Sequence, residues 1–213
     1  MRKSSKCLVS LVALLGAAAG NAAVITSPLP GGILHQIPPV LVSGRGPWTF
    51  DGITWTSNNA FDAAIGYTSY FSFGENGNWT GALGPMAALS PEPGVGIVTM
   101  AFRFSSPVEA FGGFMNYQWG TPPTIAAYTS SGHLIEQTML DFGPLGSNVS
   151  NNGRFIGLEA SAPDIAFFII SSLGGVAITN LTTFPVPEPE SLLLFGVGLL
   201  LLGMNRRTRA TGK

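Results

Sequence analysis

Apolar and polar residues alternate along residues 98–105. Val98, Met100, Phe102 and Phe104 are apolar, and small, polar or charged residues stand between them. A period of two is typical of a β-strand that buries one face. Residues 165–170 are apolar at every position, which predicts a central strand buried on both faces.

Turn-forming residues separate several strand-like runs. Ser130-Ser131-Gly132 stands between residues 124–129 and 133–140, which predicts a hairpin. Residues 171–175 predict a second hairpin, which would join residues 165–170 to residues 176–184.

Further segments complete the expected sheets. The sequence predicts a turn at residues 75–78, between residues 67–73 and Trp79, and strands at residues 48–56, 108–117 and 154–159. The sum is nine or ten strands, with no long segment of helical periodicity. We therefore expect an all-β domain over residues 23–184, a two-sheet β-sandwich of the jelly-roll type.

The N-terminus has the pattern of a signal peptide. Basic Arg2, Lys3 and Lys6 precede an apolar run at residues 8–19, which is too short to span a bilayer. Small residues follow, so we expect a signal helix over residues 1–22 that signal peptidase cleaves after Ala22. An uncleaved anchor helix is the alternative. Cys7 is the only cysteine, so a cleaved chain has neither disulfides nor thiol chemistry.

The C-terminus, residues 185–213, combines three features. A segment with Pro187, Glu188 and Pro189 precedes an apolar run at residues 192–204, and Arg206, Arg207 and Arg209 follow. The run would form roughly 20 Å of helix, against a hydrocarbon core of about 30 Å. It is apolar on every face, and the arginines would stay in the cytoplasm. A proline linker before an ordinary tail anchor is the alternative interpretation.

These three features, in this order, resemble the PEP-CTERM sorting signal of Gram-negative bacteria. The resemblance implies that exosortase, a membrane-embedded cysteine protease or transpeptidase, recognises Pro187, Glu188 and Pro189. The apolar helix would then anchor the chain in the inner membrane transiently, with the arginines as a stop, until the tail is processed. The family's link to exopolysaccharide-producing bacteria further implies a location at the cell surface or in the extracellular matrix, in association with exopolysaccharide or biofilm.

The charge of the expected domain differs from that of the whole chain. The formal net charge is −1 overall. Residues 23–186 contain three arginines, no lysine and nine carboxylates, which gives about −6. Nucleic acid is therefore excluded as a partner, because binding it needs a basic surface.

Motifs for catalysis or metal binding are absent from the sequence. His35 and His133 do not begin a metal-ligand spacing, and no Gly-x-Ser-x-Gly elbow occurs. We therefore expect no enzyme activity, metal or cofactor. A pair of carboxylates for glycoside hydrolysis is the alternative, with these candidates: Glu109, Glu136, Asp141, Glu159 and Asp164.

Aromatic residues are the better candidates for a binding site. An exposed aromatic ring can stack on the apolar face of a sugar. Tyr117 and Trp119 form the most promising pair, with Asn116 and Gln118 as partners for sugar hydroxyls. Trp48, Trp55 and Trp79 also fall near predicted turns or strand ends, although most tryptophans in a small β-sandwich lie in the core. A carbohydrate-binding module is accordingly the second functional hypothesis.

Overall fold

The all-β prediction is confirmed. A computed structural model describes residues 23–28, 30–80, 84–92 and 94–184, and the only helix in these ranges is a 3-10 turn at Gly74–Asn76. The predicted signal helix, residues 1–22, and the C-terminal tail, residues 185–213, lie outside the described residues. The same is true of the sorting and stop residues Pro187, Glu188, Pro189, Arg206, Arg207 and Arg209.

The strands of the described chain are short, apart from four of eight residues or more. In chain order they are β1 (Ala23–Ile25), β2 (Ile33–His35), β3 (Val42–Ser43), β4 (Trp48–Phe50), β5 (Ile53–Ser57), β6 (Ala63–Tyr67), β7 (Phe71–Ser72), β8 (Asn78–Trp79), β9 (Met86–Leu89), β10 (Val98–Val108), β11 (Ala110–Tyr117), β12 (Thr124–Tyr128), β13 (Leu134–Met139), β14 (Arg154–Glu159), β15 (Ile165–Ser172) and β16 (Val176–Phe184).

Two large antiparallel sheets contain most of these strands. The main sheet has the order β1-β14-β11-β16-β9-β6-β3, and β2 also pairs with β16. The second sheet has the order β13-β12-β15-β10-β5-β4, and β7 and β8 form a separate small hairpin.

The core lies between the two sheets. Phe111 of the main sheet packs against Phe102 and Phe168 of the second sheet, with ring centroids 5.5 and 4.8 Å apart. The apolar positions of residues 98–105 are all buried, as their alternation predicts. Burial of these rings is the main stabilising contribution in a chain whose described part has no disulfide. The jelly-roll type of connection stays a prediction.

Several predicted strands have the expected positions. The hairpin around Ser130-Ser131-Gly132 is formed by β12 and β13, and β15 is central in the second sheet, between β12 and β10. The strand at residues 154–159 is also confirmed, as β14. In each case the pattern that predicts the strand lies within a few consecutive residues.

The single strand predicted at residues 48–56 is wrong, because the segment is a hairpin of β4 and β5. Asp51 and Gly52 form the turn, with φ of 44° and 75°. Positive φ at both central residues is the requirement of a type I′ turn, and Asp-Gly is a favoured pair for it.

The predicted hairpin between residues 165–170 and 176–184 is also wrong. The strand β15 already has β12 and β10 as neighbours, and β16 has β11 on one side and β9 and β2 on the other. Since neither strand has a free edge for the other, residues 173–175 cross from the second sheet to the main sheet.

Candidate functional site

The structure corrects the sugar-stacking prediction for Tyr117. This residue is only 1% exposed and its ring packs edge-on against Phe142, with centroids 4.9 Å apart. Its hydroxyl donates to the Phe142 carbonyl at 2.6 Å and accepts from the Phe142 amide at 3.0 Å. Tyr117 is therefore a core residue whose hydroxyl both donates and accepts a hydrogen bond within the protein, and no sugar can reach its ring.

Trp119 remains available for stacking. It lies just beyond the end of β11 and is 39% exposed. The neighbouring Gln118 side chain accepts a hydrogen bond from the Gly175 amide at 3.2 Å, whereas Asn116 is buried. Trp55 and Trp79 are buried in the core, as most tryptophans in a small sandwich are.

An asparagine network, consisting of Asn76, Asn116 and Asn151, lies beside Tyr117. The Asn76 side chain donates to the Tyr117 carbonyl at 2.9 Å and accepts from the Leu145 amide at 3.2 Å. The Asn76 carbonyl accepts from the side chains of Asn116 and Asn151, at 3.0 and 2.7 Å. The network thus joins the β7–β8 hairpin and the loop before β14 to the end of β11.

A groove of about 560 Å³ runs along the first half of β14. We call it the β14 groove. One wall is formed by β1 and the residues that follow it, and the other by the end of β13 and the segment after it. Its lining residues are Val24, Thr26, Ser27, Pro28, Phe114, Thr138, Met139, Leu140, Asp141, Phe142, Gly153, Arg154, Phe155 and Ile156.

The β14 groove combines aromatic surface with opposite charges. Phe114 and Phe155 pack edge-on at 5.7 Å, and Phe114 is partly exposed. The Arg154 guanidinium lies over the Phe142 ring, 5.3 Å from its centroid, and Asp141 is exposed nearby in the lining. Apolar surface with a few polar groups is typical of a small-ligand site. A sugar, with an apolar ring face and a rim of hydroxyls, has the matching chemistry.

Sequence analysis missed this groove because its residues come from separate segments. Of its lining, only Asp141 was a candidate, as one of five acids. Among the described residues that line the groove, Asp141 is also the only carboxylate. Glu109, Glu136, Glu159 and Asp164 lie elsewhere, so the groove lacks the carboxylate pair that glycoside hydrolysis usually requires.

The two histidines lie outside the β14 groove. His133 is exposed beside the β12–β13 turn, and a 2.7 Å hydrogen bond joins Nε2 of half-buried His35 and the Thr183 hydroxyl. Burial lowers the pKa of His35, and the nearby Asp51 carboxylate opposes this shift. In the part of the chain that the structure describes, no three His, Cys, Asp or Glu residues are grouped as a metal site would need.

The chain has little similarity to curated proteins and solved structures. No curated protein matches the chain. The enzymatically active domain of Bacteriophage CBA120 tailspike protein 4 is similar at 16% identity and a TM-score of 0.34, over 70% of this chain. The chain spans 21% of that structure, and a similarity this low carries no functional argument.

The remaining findings concern membranes and sorting. In the described ranges, no helix has the length and apolar character of a membrane span. The family model of the PEP-CTERM protein-sorting motif matches residues 185–209. The match includes Pro187, Glu188 and Pro189 as well as the three arginines at positions 206, 207 and 209.

Proposed function

From a chain that carries a PEP-CTERM sorting motif, and is therefore processed by exosortase and sorted to the cell surface, we infer a non-enzymatic role in association with exopolysaccharide. The protein would act in the extracellular matrix or biofilm, where it binds polysaccharide through the β14 groove. Signal peptidase would remove residues 1–22 during export.

The composition of the β14 groove carries this proposal. Phe114 offers an apolar surface for a sugar ring, and Thr26, Asp141 and Arg154 offer partners for its hydroxyls. Arg154 is exposed, and the contact of its guanidinium with the Phe142 ring favours a position over the groove. A single carboxylate in the lining favours binding over hydrolysis.

A titration of the exported protein with exopolysaccharide from the producing cells tests the proposal. Arg154→Ala should weaken binding by about tenfold or more, because an exposed arginine that a ligand desolvates is a frequent binding hot spot. The matched control is Arg45→Ala, an exposed arginine outside the groove, which should change the affinity less than about twofold. Absence of measurable polysaccharide binding would refute the proposed function, and release of new reducing ends would refute the non-enzymatic role.

Trp119 supports a second candidate, a carbohydrate-binding module that uses an exposed aromatic outside the groove. Stacking of a sugar ring on one tryptophan contributes of order 1 kcal/mol to binding. The same titration separates the two sites. Binding that is lost in Trp119→Ala and kept in Arg154→Ala would move the site to Trp119.

A further inference from the structure

The described chain begins and ends in one row of the main sheet. Ala23, the first residue of β1, pairs with Glu159, and Glu159 pairs with Ala110. Ala110 pairs in turn with Phe184, the last residue of β16. Three neighbouring strand pairs therefore separate the start of β1 from the end of β16, or about 14 Å at 4.7–4.9 Å per strand.

The strand directions make this row a common exit. All three pairings are antiparallel, so β1 begins at the same end of the sheet at which β16 finishes. We call this end of the sheet the tether end. The predicted signal peptide, which ends at Ala22, and the sorting motif, which begins at residue 185, are both attached there.

The connection between the tether end and the apolar tail is short. The sorting motif starts directly after Phe184, and seven residues, 185–191, precede the apolar run that begins at Leu192. The eight steps from Phe184 to Leu192 span at most about 25 Å in the extended proline conformation. Because proline fixes φ, Pro185, Pro187 and Pro189 predict from sequence that this connection is also stiff.

We propose that the domain stands on the inner membrane in a fixed orientation before exosortase acts, with its tether end toward the lipid and the Arg154 side of its β14 groove toward the periplasm. Arg154, which lines the groove, is five residues from Glu159 along β14, or about 17 Å along the strand from the tether end. This orientation does not depend on what the groove binds.

The charges at the tether end bear on how the domain leaves the membrane. Partly exposed Glu109 and Glu159 and exposed Asp164 lie there, and the Ala160 amide donates to the Glu109 carbonyl at 2.8 Å. Acidic side chains are repelled by anionic lipid at distances within about a Debye length. Attachment therefore depends on the tail, and removal of the tail releases the domain.

Quenching of a fluorescent label by nickel bound at the lipid surface, which falls off with distance, tests this orientation. Full-length chain with Cys7→Ser, from cells without exosortase, is reconstituted in phosphatidylethanolamine–phosphatidylglycerol vesicles that contain a nickel-chelating lipid. A label on Ser161→Cys reports the tether end, and a label on Asn152→Cys reports the groove side; both positions are exposed. We expect several-fold stronger quenching at position 161. Equal quenching, or stronger quenching at position 152, would overturn the proposal.

Two variants show whether the tail sets the orientation. A chain that stops after Phe184 should be quenched at neither position, because the acidic tether end does not adhere to anionic lipid. Twenty Gly and Ser residues inserted between Phe184 and Pro185 should remove the difference between the two labels, since a flexible linker no longer orients the domain. A difference that survives this insertion would also overturn the proposal.

Discussion

The two ends of the main sheet are built differently. At the tether end the connections are short, with Glu109 alone between β10 and β11, and the chain enters and leaves there. At the opposite end, which we call the network end, Asn76 and Asn116 of the asparagine network and the Tyr117 hydroxyl are buried. The sorting signal is thus attached to the end with the shorter connections, while the buried polar contacts and the Arg154 side of the β14 groove lie at the other end.

The difference follows from the cost of buried polar groups. An unpaired polar atom in the core destabilises the fold, although the Asn78 Oδ1 and Trp79 Nε1 atoms at the network end are buried without a hydrogen-bond partner among the described residues. Asn76, Asn116 and Tyr117 have such partners. We therefore expect polar substitutions at the network end to affect stability far more than comparable changes at the tether end.

The largest effect is expected for Asn76→Ala. This change leaves the buried Tyr117 carbonyl and the Leu145 amide without their side-chain partner, which should lower the free energy of unfolding by about 2–4 kcal/mol. Urea denaturation measures it. Asn152→Ala, an exposed asparagine beside the network, is the control and should stay within about 0.5 kcal/mol of the native protein. Equal stability of the two variants would show that the network is dispensable.

A smaller loss of stability is expected for Tyr117→Phe, and a still smaller one for Trp119→Ala. Tyr117→Phe removes only the hydroxyl that contacts both Phe142 backbone groups, at an expected cost of about 1–3 kcal/mol. Trp119→Ala removes a whole ring from a residue that is 39% exposed, yet should cost less than about 1 kcal/mol. Denaturation midpoints of both variants test this order, and the reverse order would mean that Trp119 belongs to the core.

The smallest effect on stability is expected for His35, which contacts Thr183 at the tether end. Burial lowers its pKa below 6.5, so the unfolded chain binds a proton more readily than the folded one. Stability contributed by neutral His35 is therefore full above pH 6.5 and declines as pH falls toward the lowered folded pKa. In His35→Gln this part of the pH dependence should disappear. Unfolding midpoints measured from pH 7.5 to about 5 test it, and identical slopes in both proteins would exclude a role for His35.

Sequence predicted those parts of the fold that depend on neighbouring residues. The alternation at residues 98–105 and the apolar run at residues 165–170 were sufficient for β10 and β15, because burial of a strand is a periodic signal. The partner strands of β16 were not predictable, since antiparallel pairing joins residues far apart in the chain. The turn at Asp51-Gly52 could have been predicted from this dipeptide, but the β-forming residues on both sides of it were interpreted as one strand.

The candidate site was less predictable than the fold. The hydroxyl of Tyr117 is satisfied by Phe142, 25 residues later in the chain, so its burial has no local signal. The β14 groove likewise combines Thr26, Phe114, Asp141 and Arg154 from four segments. The C-terminal sorting motif was predictable, because its three features are contiguous in the sequence.

The intact mass of the protein recovered from the surface of exosortase-containing cells tests the sorting claim most directly. We expect a mass that lacks residues 1–22 and at least residues 206–213, since the arginine stop remains behind when the tail is processed. Replacement of Pro187, Glu188 and Pro189 by alanine should leave unprocessed chain in the inner membrane. A surface protein that retains residues 206–213 would contradict the account.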